Sequence, residues 1–482
     1  MTDEAGESNP RDPVEERRHR DQAAANGNTN GTPSPQSVST KLRRIAELAR
    51  QVRGVALTTL SHHIDVEFLK RAVDQTRRDG AVGIDKMTAD EYEKDLSSNL
   101  ESLLGRFKTG TYFAPPVRRT LIPKGDGTKT RPIGIPTYED KILQRALLMV
   151  LQAVYEQEFH DFSYGFRPSR SAHQAVQHVR RAITEIRSGW VLEVDIRSFF
   201  DSLDHGHLRS FLDQRVRDGV LRRQIDKWLK AGVLDDGQVS YPTTGSPQGG
   251  VISPLLANVY LHHVLDEWFV KTVKPLMRGK VELVRYADDF VFVFEHETDA
   301  RRILAVLPKR FGKYGLALHP DKTRLLPFRQ PPFGGWPDTG DPAWKGAAHP
   351  PRTFDFLGFT FAWTLTRRGG HAVFLYTAKD RLRRTVKGIH RWLRDSRHSP
   401  IEEQHATLCQ KLRGHMAYFG VTGNIRRLQV VVRWAERSWH QWLNRRSQRK
   451  TMTWERFHRV LLRFPLPRAE IVHSVYRPGA SS

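Results

Sequence analysis

An α+β fold is what this 482-residue sequence predicts. Three observations carry that expectation. Residues 41–115 show a helical period, and short strand patterns such as WVLEVDI and VRYADDFVFVF recur through a mixed α/β body that runs to about residue 365. Beyond it the helical period returns, with Leu382, Val386, Ile389 and Leu393 at spacings of four, three and four.

Residues 1–40 are rich in Asn, Gly, Ser, Pro and acids, with almost no large apolar side chains. Such a segment cannot repay the entropy of ordering, so a disordered tail is expected. KLRRIAELARQV and VEFLKRAVDQTRR then read as helices, and GAVGIDKMTADEY as a loop with a new helix start. VRRTLIPK (117–124) runs as a strand into GDG, the signal of a hairpin. In SAHQAVQHVRRAITEIRSG, Ala172, Ala175, Val176, Val179, Ile183 and Ile186 fall on one helical face, closed by Ser188-Gly189. The strand WVLEVDI follows. Trp190, Leu192, Val194 and Ile196 share one of its faces, which leaves Asp195 on the other beside Glu193. Residues 327–352 break all periodicity with Pro and Gly and are expected to form a long loop.

The chain carries 77 Lys/Arg against 53 Asp/Glu, a formal net charge of +24. The first 40 residues hold seven acids and four bases, so the rest carries about +27. That excess points to a polyanionic partner such as nucleic acid. With no apolar run near 20 residues, no membrane partner is expected. A single cysteine, Cys409, excludes an internal disulfide framework and a Cys-rich zinc site and fits a reducing cytoplasm.

Asp288 and Asp289 stand side by side before an unbroken apolar run. In a plain strand they would point to opposite faces, so both can serve one site only if the backbone turns there. Val281, Leu283 and Val284 before the pair, and Phe290 to Phe294 after it, fit a hairpin whose tip carries the carboxylates. An unpaired carboxylate costs several kcal/mol to bury, so such a pair calls for a cation, and Mg2+ suits carboxylates plus substrate phosphates. A site with two Mg2+ ions needs a further acid from elsewhere, for which Asp195 is the candidate. The bland alternative is that these acids cap turns or lie solvated.

The motifs decide between them. GAVGIDKMT (80–88), LIPKGDGTKTRPIGIP (121–136), YGFRPSRSAHQA, VDIRSFFDSLDH, GSPQGGVISPLLANVYL (245–261), RYADD, LALHPDKT (316–323) and FDFLGFTF (354–361) occur in this order. So arranged, from about residue 41 onward, the chain resembles the reverse transcriptases encoded by bacterial group II introns. The resemblance implies a right-hand polymerase fold, fingers and palm with an antiparallel sheet, followed by an α-helical thumb that doubles as a maturase domain. It implies a tail (1–40), an N-terminal extension with fingers (41–190), a palm (191–375, with part of the fingers and the 327–352 loop), a thumb (376–440) and a basic segment able to bind DNA (441–482).

It further implies that Asp195, Asp288 and Asp289 surround two Mg2+ ions, with the Ile196 backbone beside them. Ser198 and Phe199 would hold the incoming dNTP, and Phe200 would act as the gate that excludes a ribose 2′-hydroxyl. Lys124 and Arg131 would pair with triphosphate oxygens, Gln248 would pack on the nucleotide, and Lys322 would serve as a general acid near the leaving pyrophosphate. Leu357 and Gly358 would grip the primer. For Phe200 the plain alternative is a core phenylalanine, and for Lys124, Arg131 and Lys322 solvated charge.

Residues 379–468 hold 22 Lys/Arg and six Asp/Glu, interleaved with Trp392, Trp434, Trp439, Trp442 and Trp454. Arg supplies phosphate contacts and Trp supplies stacking platforms, although some of these Trp residues are expected in the core. LRGHMAYFGVTGN (412–424) resembles the maturase segment, which implies binding of intron RNA through Arg413, Gly414, His415, Tyr418, Arg426 and Arg427. The expected partners are group II intron RNA, an RNA template with a DNA primer, a DNA target and dNTP. The absence of Cys pairs after FPLPRAEIVHSVYRP resembles the endonuclease-lacking members. Two alternatives use the same residues: an RNA-binding splicing factor with a vestigial polymerase, and a host-adopted reverse transcriptase in defence or repair.

Overall fold

Local capping chemistry sets where the elements begin. In the computed structural model, which describes residues 37–474 apart from 125–128, 187–188, 236–237, 242–243, 246–248, 332–352, 367 and 449–451, the Ser37 hydroxyl accepts from the Thr40 N–H and opens helix α1 (Val38–Gln51). The expected tail is therefore shorter at its end, because residues 38–40 form the first helical turn. Asp65 caps α2 (Val66–Asp74), and a Thr88–Glu91 capping box starts α3 (Ala89–Glu93) at the predicted helix start. α4 (Leu96–Thr109) leads to strands β1 (Val117–Lys124) and β2 (Lys129–Ile135), which pair antiparallel as the hairpin signal required. Next come α5 (Tyr138–Tyr155), α6 (Ala172–Ile186), β3 (Trp190–Val194), α7 (His205–Asp213) and α8 (Gly219–Leu229). β4 (Val233–Asp235), β5 (Gln238–Ser240), α9 (Ser253–Leu261), β6 (Val281–Tyr286), β7 (Asp289–Phe294), α10 (Glu297–Gly312) and β8 (Arg324–Pro327) follow. The chain continues through β9 (Thr353–Phe356), β10 (Phe359–Leu365) and β11 (His371–Thr377) into four helices, α11 (Lys379–Asp395), α12 (Ile401–Phe419), α13 (Ile425–Leu443) and α14 (Trp454–Arg463).

Among the described residues the strands form three sheets, ordered β2-β1-β4-β5, β6-β7-β3-β8 and β11-β10-β9. All pairs are antiparallel except β1 with β4. The middle sheet explains the unbroken apolar run. Phe290, Phe292 and Phe294 of β7 join one core with Ile303, Leu307 and Phe311 of α10, whereas Val291 and Val293 join a second core with Val176, Val179 and Ile183 of α6. A strand covered on both faces reads as continuous hydrophobics, and each buried Phe contributes roughly 1.5–3 kcal/mol. Trp190, Leu192, Val194 and Ile196 all lie in the first core, as the alternation predicted, with Glu193 and Asp195 directed elsewhere. A third cluster, including Ile389, Leu408, Trp439 and Phe457, joins α11 to α14. Of the 327–352 segment only the first residues are described, and Pro327 closes β8 rather than opening a loop. No helix among the described residues is long and apolar enough to cross a membrane.

Candidate active site

Strand register brings the acids to one end of the middle sheet. The last β3–β7 pair is Val194 with Phe290, so one step further along the antiparallel ladder Asp195 stands across from Asp289. The β6–β7 hairpin turns through Ala287 and Asp288, closed by the Tyr286–Asp289 pair, with Ala287 in the left-handed region at φ 57°. The backbone turn that the adjacent acids required is present. On the far side of Asp195, the segment before β8 runs back along the chain. The His319 N–H donates to the Asp195 carbonyl and the Arg197 N–H to the Ala317 carbonyl, both at 2.8 Å, and Ile196 bridges Leu318. This return places Lys322 Nζ 3.0 Å from Asp195 Oδ2.

Desolvation by the protein packed around the turn, then the charges of Asp288 and Asp195, push the Asp289 carboxyl up to about 7. Its side chain nonetheless opens to solvent, so the neighbouring carboxylates are the better-founded cause. Lys322 and Arg381, the latter from α11, offset part of this repulsion. Crowded acids of this kind fit a hard divalent ion with oxygen ligands.

A sealed support holds the turn, and sequence reasoning missed it. Arg285 of β6 is fully buried and pairs in parallel with Asp266, also fully buried, at 2.8 and 2.5 Å. Its remaining nitrogen donates to Asn258 Oδ1 (2.9 Å) and to the carbonyl of Ala287 in the turn itself (3.2 Å). Asn258 in turn donates to the Gly165 carbonyl at 2.7 Å. Gly165 presses against the turn so closely that a Cβ there would meet the Ala287 nitrogen at 2.4 Å, which gives the YGFRPSR glycine its reason. The available signal was Arg285, a charge inside an apolar strand. Glu193 is likewise buried, held by Arg324 Nη2 (2.6 Å) and the Asp355 N–H (3.0 Å).

The other expected residues spread around this centre. Ser198 adopts φ 46° and opens a short 3-10 turn, Phe199 is core, and Phe200 is half-buried with its ring edge-on to Phe199 at 5.4 Å. The Gly245 backbone crosses directly over Phe200 and Asp201, where a Cβ would meet Asp201 Cα at 3.0 Å. Arg131 lies exposed on β2 opposite Ile122, and Lys124 ends β1. Gln248 and the Lys124 side chain lie outside the described residues. Leu357 and Gly358, at φ 50° and 79°, form the two-residue β9–β10 turn. The Ala378 N–H donates to the Gly358 carbonyl and the Tyr418 hydroxyl to the Leu357 carbonyl, both at 2.9 Å, which fastens this turn to the helical region.

In that region Arg413, Gly414, Arg426 and Arg427 are exposed. His415 is not. It is 8% exposed, faces Thr385 and packs on Phe419, and burial lowers its pKa to about 4. The implied RNA contact is therefore corrected for this side chain: it lies between helices. Tyr418 braces the Leu357 turn and stacks on Phe359. Among the tryptophans, Trp439 is core, while Trp434 and Trp454 are 49% and 47% exposed.

A family profile described as reverse transcriptase (RNA-dependent DNA polymerase) matches residues 122–361. Over 202 residues the chain is 41% identical to the group II intron-encoded protein LtrA of Lactococcus lactis subsp. cremoris, 42% of this chain and 33% of that one. It is 35% identical over 278 residues to protein YkfC of Escherichia coli (strain K12), 50% of this chain and 71% of that one. Nuclear intron maturase 4, mitochondrial, of Arabidopsis thaliana is 26% identical over 215 residues, 44% of this chain and 24% of that one. The chain thus spans about a third of the length of the first of these relatives.

Proposed function

The chain belongs to the reverse transcriptase family, with group II intron-encoded proteins among its relatives, and on that premise we propose that it is an RNA-directed DNA polymerase that also binds group II intron RNA as a maturase. In this reading it promotes splicing and then intron mobility by target-primed reverse transcription, acting in the bacterial cytoplasm and at nucleoid DNA. The single observation that carries the polymerase reading is the register of β3 against the β6–β7 hairpin, which sets Asp195 across from the Asp288-Asp289 turn.

Reverse transcriptases depend on divalent metal ions. Two Mg2+ ions would be held by Asp195 and Asp288, with Asp289 and the Ile196 backbone beside them. When bound, Mg2+ supplies Lewis acidity to the primer 3′-hydroxyl and charge neutralisation to the phosphates. Lys322 donates a proton or hydrogen bond to the leaving pyrophosphate; its 3.0 Å contact with Asp195 keeps the ammonium beside the acids. Lys124 and Arg131 bind triphosphate oxygens, as do the Ser198 and Phe199 backbone groups, where the left-handed Ser198 bends the chain. Phe200 excludes a 2′-hydroxyl, supported by the Gly245 backbone clamped over it. Gln248 packs on the nucleotide. The Leu357-Gly358 turn grips the primer. Arg413, Gly414, Tyr418, Arg426 and Arg427 serve RNA, the exposed arginines through phosphates.

Primer extension on an RNA template with dNTP and Mg2+ tests this. The wild type extends, and Asp288→Ala loses at least about 100-fold, the scale on which removing one preorganised electrostatic group acts. Equal activity in both sinks the site, and an inactive wild type sinks the polymerase reading in favour of a splicing factor. Splicing of the cognate intron persists in Asp288→Ala. RNA affinity falls steeply with salt, and the combined Arg413→Gln, Arg426→Gln and Arg427→Gln variant flattens that slope by roughly one per lost phosphate contact. An unchanged slope removes these arginines from the interface.

A further inference from the structure

A second cluster of metal-binding side chains lies away from the carboxylates, on the wall of a cavity of about 700 Å3 that Tyr155, Arg215 and His263 also line. His160, in the loop after α5, has Nε2 2.8 Å from Glu267 Oε1. His262 Nε2 lies 3.9 Å from the same oxygen. One ligand atom from each of the three residues falls within 4.8 Å of the other two. Three donors on a tetrahedral ion with bonds of about 2.0–2.2 Å sit roughly 3.4 Å apart, so small side-chain adjustments would close this set around one ion.

The backbone is shaped for it. His262 and Glu267 are five residues apart, a spacing that an ordinary α-helix sends to different faces. Here α9 continues into a π-helical turn, His262–Asp266, in which the Glu267 N–H donates to the His262 carbonyl. The i to i+5 bond sets Glu267 about one turn above His262, on the same side, and π turns of this kind recur at functional sites. His262 is buried and its Nδ1 has no hydrogen-bond partner among the described residues. That nitrogen lies 3.9 Å from Asp266 Oδ2, too long for a hydrogen bond, and a small ring shift would bring the carboxylate into the position from which it can orient a ligating imidazole. Lys271 pairs with the other Glu267 oxygen and leaves Oε1 facing the histidines.

We propose that His160, His262 and Glu267 form a site for a Zn2+-class transition-metal ion, open on its fourth side to the cavity, where water or an anion completes the coordination. Two imidazoles and one carboxylate with an open position is a donor set that suits Zn2+, and imidazole excludes the Mg2+ that the aspartates would take. The ion would sit one residue from Asp266, and hence two contacts from the catalytic turn: Asp266 to Arg285, and Arg285 to the Ala287 carbonyl.

The test is titration of the full chain with Co2+ in excess Mg2+, which fills the carboxylate sites and leaves imidazole free. One equivalent of Co2+ gives visible d–d absorption that Zn2+ abolishes, and Zn2+ raises the melting temperature of the wild type. His160→Gln and Glu267→Gln weaken binding by more than the roughly 10- to 100-fold that losing an outer partner of a ligand costs, and lose the Zn2+ shift. Both positions are partly exposed, so these variants fold, as circular dichroism checks. Absence of the Co2+ band in the wild type, or an unchanged band in both variants, overturns the proposal.

Discussion

Asp266 and Asp289 serve the same hairpin and obey opposite rules. Asp266 is sealed from water, yet both its oxygens are met in parallel by Arg285. Asp289 opens to solvent, yet its nearest charges are two more carboxylates, and its carboxyl is pushed up to about 7. The sealed pair spends its charge on structure, fixing the turn through the Ala287 carbonyl. The open acids are only partly compensated, by Lys322 and Arg381, and the repulsion that remains is of the kind a divalent cation would offset. Compensation, not burial, separates the scaffold from the chemistry.

That contrast can be broken first at the sealed pair. Arg285→Leu leaves Asp266 and Asn258 buried without their partner and costs about 3–5 kcal/mol, read from urea unfolding, whereas Arg285→Met combined with Asp266→Leu recovers most of the loss. A mild effect of the single change would mean that water reaches Asp266. At the open site the corresponding change is cheap. Lys322→Gln removes the Asp195 contact, but this pair is well exposed and its loss changes stability by less than about 1 kcal/mol, even where it lowers primer extension.

The smallest effect sharpens the comparison through pH. In the metal-free protein the fold holds the Asp289 carboxyl near 7, above its ordinary 3.8. Ionisation then opposes folding, so the group costs nothing below about pH 4, costs progressively more as pH rises, and reaches its full cost above about 7. Asp289→Asn therefore raises the melting temperature at pH 8 in EDTA and leaves it unchanged at pH 4. A gain of equal size at both values would assign the effect to packing rather than charge.

Much of this was legible residue by residue. The face of α6, the alternation of β3 and the hairpin around Asp288-Asp289 follow from period and turn chemistry, which are local. Helix α1 began earlier than the composition of its surroundings suggested, because one capping hydroxyl, Ser37, outweighs a polar neighbourhood. His415 sits in a motif with exposed neighbours, and nothing local tells it from Arg413, so its burial between α11 and α12 could not be read. Arg285 was visible as an anomaly in an apolar strand, but not its partner.

By itself the sequence determined the inventory: which segments are strands and helices, which acids stand at strand ends, and where positive charge accumulates. Those properties depend on neighbours within one or two turns of chain. Only the tertiary structure decided which charges are neutralised, because Asp266 meets Arg285, Gly165 meets Ala287, and His160 meets Glu267 across long stretches of sequence. Coulombic and desolvation energies depend on distance in space and on access to water, and neither is written in the order of the residues.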